Sequence, residues 1–323
     1  MRNHKPILRR TLCATALTLA STLAFAWTDK PVKLIVPAPA GGIIDIVARV
    51  LGEQLSKDLG QPFLVDNKPG GGGAIAMNAL LTAPVDGNTV MVTASNIMTE
   101  IPHVMKQTFD PLKDVRAIQA FTRVGLILVS SPAVPAQDFA GLVTYLKATP
   151  GKYSYATHSP GTISHYAGLL LSNGAGLDLQ HVPFAGAPPA LQQVMGGQVT
   201  VMFDGLVTSM PLIKAGKLRA YGVSGSARNP ALPQVPTFTE LGHPELNYFS
   251  WFGVIVSSKM SDAMVERINQ ALLKVSSVPA VRDKFLSLGF EIAPAMTPME
   301  LQKSVESDFN RYGAIVKKYN IEP

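Results

Sequence analysis

Apolar and polar positions follow two rhythms along this chain. Runs that are apolar almost throughout recur at 32–36, 63–65, 90–93, 153–156, 181–182, 199–203 and 218–223. Lacking a polar residue at every second position, they read as strands covered on both faces, as in parallel sheets. Between them, apolar residues return at three- and four-residue spacing, the mark of helices with one buried face. Ile44, Val47, Ala48, Leu51 and Leu55 make one such stripe, and Phe139, Leu142, Val143 and Leu146 another. Val265, Ile268 and Leu272 make a third, and Leu301, Val305, Phe309, Tyr312 and Val316 a fourth. This alternation predicts an α/β fold with parallel-rich sheets.

Two further apolar runs, 126–129 and 251–256, each end in a pair of serines and read as paired hinge strands between lobes. The first lobe would hold 27–125 together with 257–323, and the second 130–250. A discontinuous lobe joined by two crossings permits closure about a cleft.

The first 26 residues change the picture of charge. Arg2, Lys5, Arg9 and Arg10 precede an apolar stretch at 11–23 that is short for a membrane span, and Ala24-Phe25-Ala26 has the form of a cleavage site. Residues 1–26 therefore read as a signal peptide cut after Ala26, with the remainder exported to the periplasm. The Arg9-Arg10 pair also admits a twin-arginine signal, but its surroundings fit an ordinary basic region better. Four of the 28 Lys and Arg lie in this segment and none of the 22 Asp and Glu, so the remainder is close to neutral. No basic stripe argues for nucleic acid or a membrane surface. Cys13 is the only cysteine, which excludes disulfides, thiolate metal sites and a cysteine nucleophile from the exported part.

Three glycine-bearing turns are candidates for chemistry. Pro37-Ala38-Pro39-Ala40-Gly41-Gly42 follows the first strand and opens into a helix carrying Asp45. A helix start of this kind offers backbone N–H groups to an anion without a lysine or arginine. Asp45 either braces the loop, complements the helix dipole, or accepts from a ligand donor. Ser159-Pro160-Gly161-Thr162-Ile163-Ser164 repeats the construction in the second lobe with hydroxyls added, although Ser159 or Thr162 could serve only as a helix cap. Gly70-Gly71-Gly72-Gly73 satisfies a loose dinucleotide pattern with Ala76, but the bland reading, a loop leading into a helix near Ala74, fits an exported chain better. Ser95, at the end of a strand, and Asp204, at the end of another, could also face the cleft. The histidines have no metal-ligand spacing. Ser159, His165 and Asp204 can be drawn as a triad, as any long chain allows.

These stretches together resemble the extracytoplasmic solute receptors of tripartite tricarboxylate transporters, the Bug-type receptors. The match rests on Ala40-Gly41-Gly42 with Asp45, Asp66-Asn67-Lys68-Pro69-Gly70, Ala83-Pro84-Val85-Asp86-Gly87, His181-Val182-Pro183-Phe184, Gly196-Gly197-Gln198-Val199, Ile213-Lys214-Ala215-Gly216-Lys217, Pro233-Gln234-Val235-Pro236-Thr237 and Ser250-Trp251-Phe252-Gly253, in that order. The resemblance implies a two-lobed type II periplasmic-binding-protein fold, a Venus flytrap, holding a carboxylate between lobes by amides, hydroxyls and waters. It carries ligand binding to Ala40, Gly41, Gly42, Asp45, Ser95, Ser159, Gly161, Thr162, Ser164 and Asp204. It implies a monomeric receptor with no catalytic role, metal or cofactor, whose partners are the small carboxylate and the integral-membrane permease subunits. Ala38, Ile43 and Ile44 stand where the family carries an aromatic and small polar residues, and Ala185 stands after Phe184 where a polar residue is common. Those departures predict a roomier, less polar pocket shaped by Ala38, Ile43, Ile44 and Phe184. They favour an aromatic or otherwise bulky acid, such as a phthalate-type diacid, unless Ile43 and Ile44 merely pack on the core. A receptor feeding a two-component regulator is the alternative use, and a secreted serine hydrolase the remote one.

Overall fold

The computed structural model describes residues 27, 28, 30–225, 227–319 and 321; the expected signal peptide, 1–26, lies outside the described residues. Strands β1 (Val32–Val36), β2 (Phe63–Asn67) and β3 (Thr89–Ala94) pair in parallel in the order β2-β1-β3. Helix α1 (Ile43–Leu59) connects the first two strands and buries Val47, Ala48, Leu51 and Leu55 against them. It ends at Gly60, whose φ of 66° suits a left-handed cap that a side chain would disfavour. Helix α2 (Ala74–Thr82) and the single turn α3 (Asn96–Thr99) flank β3.

The joint between the halves is β4 (Val115–Ser130). Helix α4 (Phe139–Lys147) leads into β5 (Tyr153–Thr157), α5 (Ile163–Ala175), β6 (Leu179–Pro183), α6 (Ala187–Met195), β7 (Val201–Gly205), α7 (Leu206–Lys214) and β8 (Arg219–Val223). Here β6, β5 and β7 are parallel, and both β7 and β8 run antiparallel to the later part of β4, from residues 126 or 127 to 130. The chain then returns through β9 (Phe249–Ser257), which lies between β3 and the earlier part of β4 in the first sheet. Helices α8 (Asp262–Ser277) and α9 (Pro279–Ser287), the short β10 (Glu291–Ile292) beside β4, and α10 (Pro298–Tyr319) complete that side. The result is the two-lobed α/β architecture expected of a periplasmic binding protein.

The hinge expectation needs revision. Residues 126–129 and 251–256 do not pair with each other: the former pair with β7 and β8, the latter with 116–123 and β3. One continuous strand crosses from sheet to sheet at Gly125–Leu126, and its partner β9 stays within the first. The polar residues Arg116, Gln119, Thr122 and Arg123 interrupt the apolar run before 126, which conceals the first part of β4 in the pattern.

Candidate functional site

Two adjoining cavities, of about 100 and about 330 Å³, lie between the sheets. Both are bounded by Ala38, Pro39, Ile44, Asn96, His158, Thr162 and Gly186, so the turns at 39–42 and 159–162 face one crevice. Four helices begin at its walls: α1 at Gly42–Ile43, α5 at Thr162–Ile163, α6 at Gly186–Ala187 and α7 at Gly205. None of the four has a side-chain cap, whereas α4 and α8, elsewhere, are capped by Asp138 and Ser261. An uncapped helix leaves its first N–H groups without partners. At α6 the prolines at 188 and 189 remove two such donors, so α1 and α5 are the richer mouths.

The donors differ from those the sequence suggested. The Gly41 N–H is accepted by Asp45 Oδ2 at 2.9 Å, and the Gly42 N–H by Pro39 O at 3.2 Å. The amides left at the mouth of α1 are those of Ile43, Ile44 and Asp45, since the first to find a carbonyl is Ile46, to Gly42 O. Ala40 and Gly41 are exposed and line neither cavity, while Gly42 lines the smaller one. In α5 the Gly161 N–H goes to His165 Nδ1 at 3.1 Å, leaving Ile163 and Ser164. The ring nitrogen that accepts there must be unprotonated, and burial followed by the neighbouring His181 pushes His165 down to about 3. The rings of His165 and His181 stack 4.0 Å apart, and burial alone lowers His181 to about 4.

Three residues expected to touch ligand turn out to brace the site. Asp45 is buried and lines neither cavity; it takes Gly41 N–H, Arg49 Nε at 2.9 Å and Asn67 Nδ2 at 3.0 Å. Burial by itself would raise its carboxyl, but Arg49, Gly41 and Asn67 together hold it below the ordinary value. Ser164 is fully buried, accepts the His158 N–H at 3.2 Å and bonds Thr162 Oγ1 at 2.8 Å. Asp204 is likewise buried behind the wall, where it meets His158 Nε2 at 2.8 Å and both Thr208 Oγ1 and Ser209 Oγ at 2.6 Å. The drawn triad does not assemble, because Asp204 engages His158 and His165 is committed to Gly161. Ser95 also lies behind the wall, its N–H given to Trp251 O at 2.9 Å.

Other expected residues do line the crevice. Thr162 borders both cavities and Ser159 the larger, while Gly161 is buried and lines neither. Ala38 and Ile44 border both, Ile43 the smaller and Phe184 the larger. Ile43 and Ile44 also pack against the first core. The sequence reading passed over Asn96, His158 and Gly186 as site residues, and took the Gly70–Gly73 turn, which borders the larger cavity, for a plain loop. Asn96 could have been reached from the strand end that drew attention to Ser95, one residue away. For His158 no local signal exists, since its partner is 46 residues distant.

Electrostatically the walls are bare. Among the described residues no Lys, Arg, Asp or Glu lines either cavity, and His158 is the one titratable group there. An anion would be met by helix-end dipoles and amides in an otherwise apolar space.

The brace gives a first prediction. Asp45→Ala removes the side-chain acceptor of the exposed Gly41 N–H and one of the two acceptors of the half-buried Asn67, which keeps Ala38 O, and is expected to cost about 1–2 kcal/mol, little of it from the exposed Arg49. Because Asp45 is held below its unfolded value, its contribution is present at neutral pH and lost as pH falls through the folded value. Urea unfolding at neutral and acidic pH checks this: wild type and variant should converge in acid.

Comparison with known proteins follows the same lines. The family model described as the tripartite tricarboxylate transporter family receptor matches residues 47–321. A UPF0065 protein from the tcbD-tcbE intergenic region of Pseudomonas sp. (strain P51) is 30% identical over 318 residues, 95% of this chain and 93% of the other. A solved structure of a periplasmic transporter is 34% identical with a TM-score of 0.87, covering 92% of this chain and 99% of its own. Rpa4515 of R. palustris, solved with adipate, is 28% identical with a TM-score of 0.87 over the same shares. MatC from Rhodopseudomonas palustris, solved with bound malate, is 28% identical with a TM-score of 0.83, covering 89% and 99%.

Proposed function

The chain belongs to the tripartite tricarboxylate transporter receptor family, and on that premise we propose that it captures a small carboxylate in the crevice between its lobes. The ligand is then delivered to the integral-membrane permease subunits of such a transporter. The family is one of periplasmic receptors, and export by the segment 1–26 accords with that compartment.

The observation that carries the reading is the convergence of the α1 and α5 mouths on one crevice without a cationic side chain in its wall. Backbone N–H groups at helix starts suit a carboxylate. The bound adipate and malate of two relatives agree with an acid as cargo. Ala38, Ile43, Ile44, Val124, Leu126 and Phe252 make the smaller cavity apolar, which suits an acid with a hydrocarbon or aromatic body. No chemistry is required of the site: the ligand would stabilise the closed arrangement by its greater affinity for it.

Thermal-shift screening of the purified protein against aliphatic and aromatic acids tests this. A ligand at a hundred times its dissociation constant should add about 2.7 kcal/mol of stability. No shift with any acid, against a clear shift with amines or neutral sugars, would reject it.

A further inference from the structure

Resting on that receptor reading, we propose that His158 is a specificity-determining residue that selects acids bearing a second carboxylate. Three observations lead there. It is the one titratable side chain in the walls of either cavity among the described residues, and it borders both. Its placement is fixed on several sides: its N–H goes to Ser164 Oγ at 3.2 Å, its carbonyl accepts Gly186 N–H at 2.8 Å, and its Nε2 meets Asp204 at 2.8 Å. Asp204 in turn is occupied by the hydroxyls of Thr208 and Ser209.

The chemistry follows from that commitment. A carboxylate accepting three donors fixes the proton on Nε2 and leaves Nδ1 as the ring's remaining polar atom, without a partner among the described residues. A ligand carboxylate at Nδ1 would complete a carboxylate–imidazole–carboxylate row once the ring takes up a second proton from solvent on binding, so that Nε2–H donates to Asp204 and Nδ1–H to the ligand. Asn96, from the other lobe, borders the same two cavities and its side-chain amide makes no hydrogen bond to the described residues. It can supply a second donor as the lobes meet. The helix mouths serve one carboxylate, the apolar wall its body, and His158 with Asn96 the other. A monoacid would leave His158 and Asn96 without a ligand partner, so the discrimination is one of desolvated polar groups left unmatched.

Calorimetric titration with matched pairs, hexanoate against adipate and benzoate against terephthalate, tests the assignment. Wild type should favour the diacid in at least one pair, His158→Phe should reduce that preference at least about tenfold, and His158→Gln should retain most of it. A purely structural role for His158 would weaken both members of a pair alike. An unchanged preference in His158→Phe, or a wild type that favours the monoacids, overturns the proposal. Should the phenylalanine variant fail to fold, the wild-type protein still decides: its His158 ring-nitrogen NMR resonances should move with the diacid and stay put with the monoacid. Binding of none of the four acids together with no hit in the wider acid screen would instead remove the receptor reading itself.

Discussion

Gly161→Ala is expected to weaken ligand binding ten- to a hundredfold while both sheets stay folded. A Cβ at this position would lie 2.2 Å from Val104 Cγ2 and 3.0 Å from the Ile101 Cα. Both belong to the segment that follows α3, across the crevice from α5. The valine methyl can turn away, but the backbone of Ile101 cannot. Overpacking of this kind costs about 1–3 kcal/mol. Because it falls between lobes, the molecule can escape it by opening. The penalty is therefore charged to the closed form, and apparent affinity drops with the closed population. Gly161 also has a φ of 73°, which alanine disfavours in either form. The other end of the same helix supplies the control: Gly176 has a φ of 62° and nothing within 4 Å of its Cβ position. Gly176→Ala should lose stability without losing affinity. Calorimetry with a ligand from the acid screen, and small-angle scattering without one, should separate the two variants; equal affinity in both would refute closure through this contact.

The second large effect concerns Glu100, at the base of that same contact. Its side chain is buried, with Oε2 accepting Thr99 Oγ1 at 2.7 Å, and its carbonyl accepts the hydroxyl of Tyr166 from the second lobe at 3.1 Å. Burial pushes its carboxyl up from 4.5 to about 8, with Asp308 adding in the same direction and Thr99, Tyr312 and Arg311 opposing. The folded value exceeds the unfolded one, so the folded chain keeps a proton that the unfolded chain releases between about pH 4.5 and 8. Stability should therefore decline across that window as pH rises, by up to about 1.4 kcal/mol per pH unit from this group. Glu100→Gln mimics the protonated acid and should remove the decline. At pH 8 the variant should be more stable than wild type by something on the order of 4 kcal/mol, and near pH 4 the two should coincide. Parallel denaturation profiles for the two proteins across this range would show that Glu100 is ionised in the fold.

His165 and His181 act in the opposite sense. Held at about 3 and about 4, they stay neutral in the fold while the unfolded chain protonates below about pH 6.5. Their contribution is intact above that value and fades in acid. Together with Glu100 they favour a stability maximum in the slightly acidic range.

Much of this molecule was legible from local pattern. The run at 32–36 is a strand with those limits, and the stripe from Ile44 to Leu55 follows the core-facing side of α1, because continuous apolar runs and helical spacing are properties of neighbouring residues. The turns at 39–42 and 159–162 announced helix starts for the same reason: glycine and proline restrict the backbone where they stand. The early half of β4 was not legible, since a strand carrying Arg116, Gln119 and Thr122 on one face and Arg123 on the other lacks the apolar run that marked the others.

What the chain order could not say is which polar groups remain for a ligand. Asp45 was visible as a residue near a glycine turn, but whether it meets ligand or loop depends on Asn67, 22 residues away. Asp204 was visible at a strand end, yet it is occupied by His158 and the start of α7, so the histidine faces the crevice in its place. Hydrogen-bond capacity is finite, and a donor or acceptor used inside the fold is withdrawn from the site. Sequence by itself determined most of the strands, the helix starts at the two turns and the kind of chemistry a neutral amide mouth performs. Tertiary structure alone decided which amides are free, which carboxylates are braces, and that two distant turns share one crevice, because each follows from pairings between residues that only the packing of the two sheets brings together.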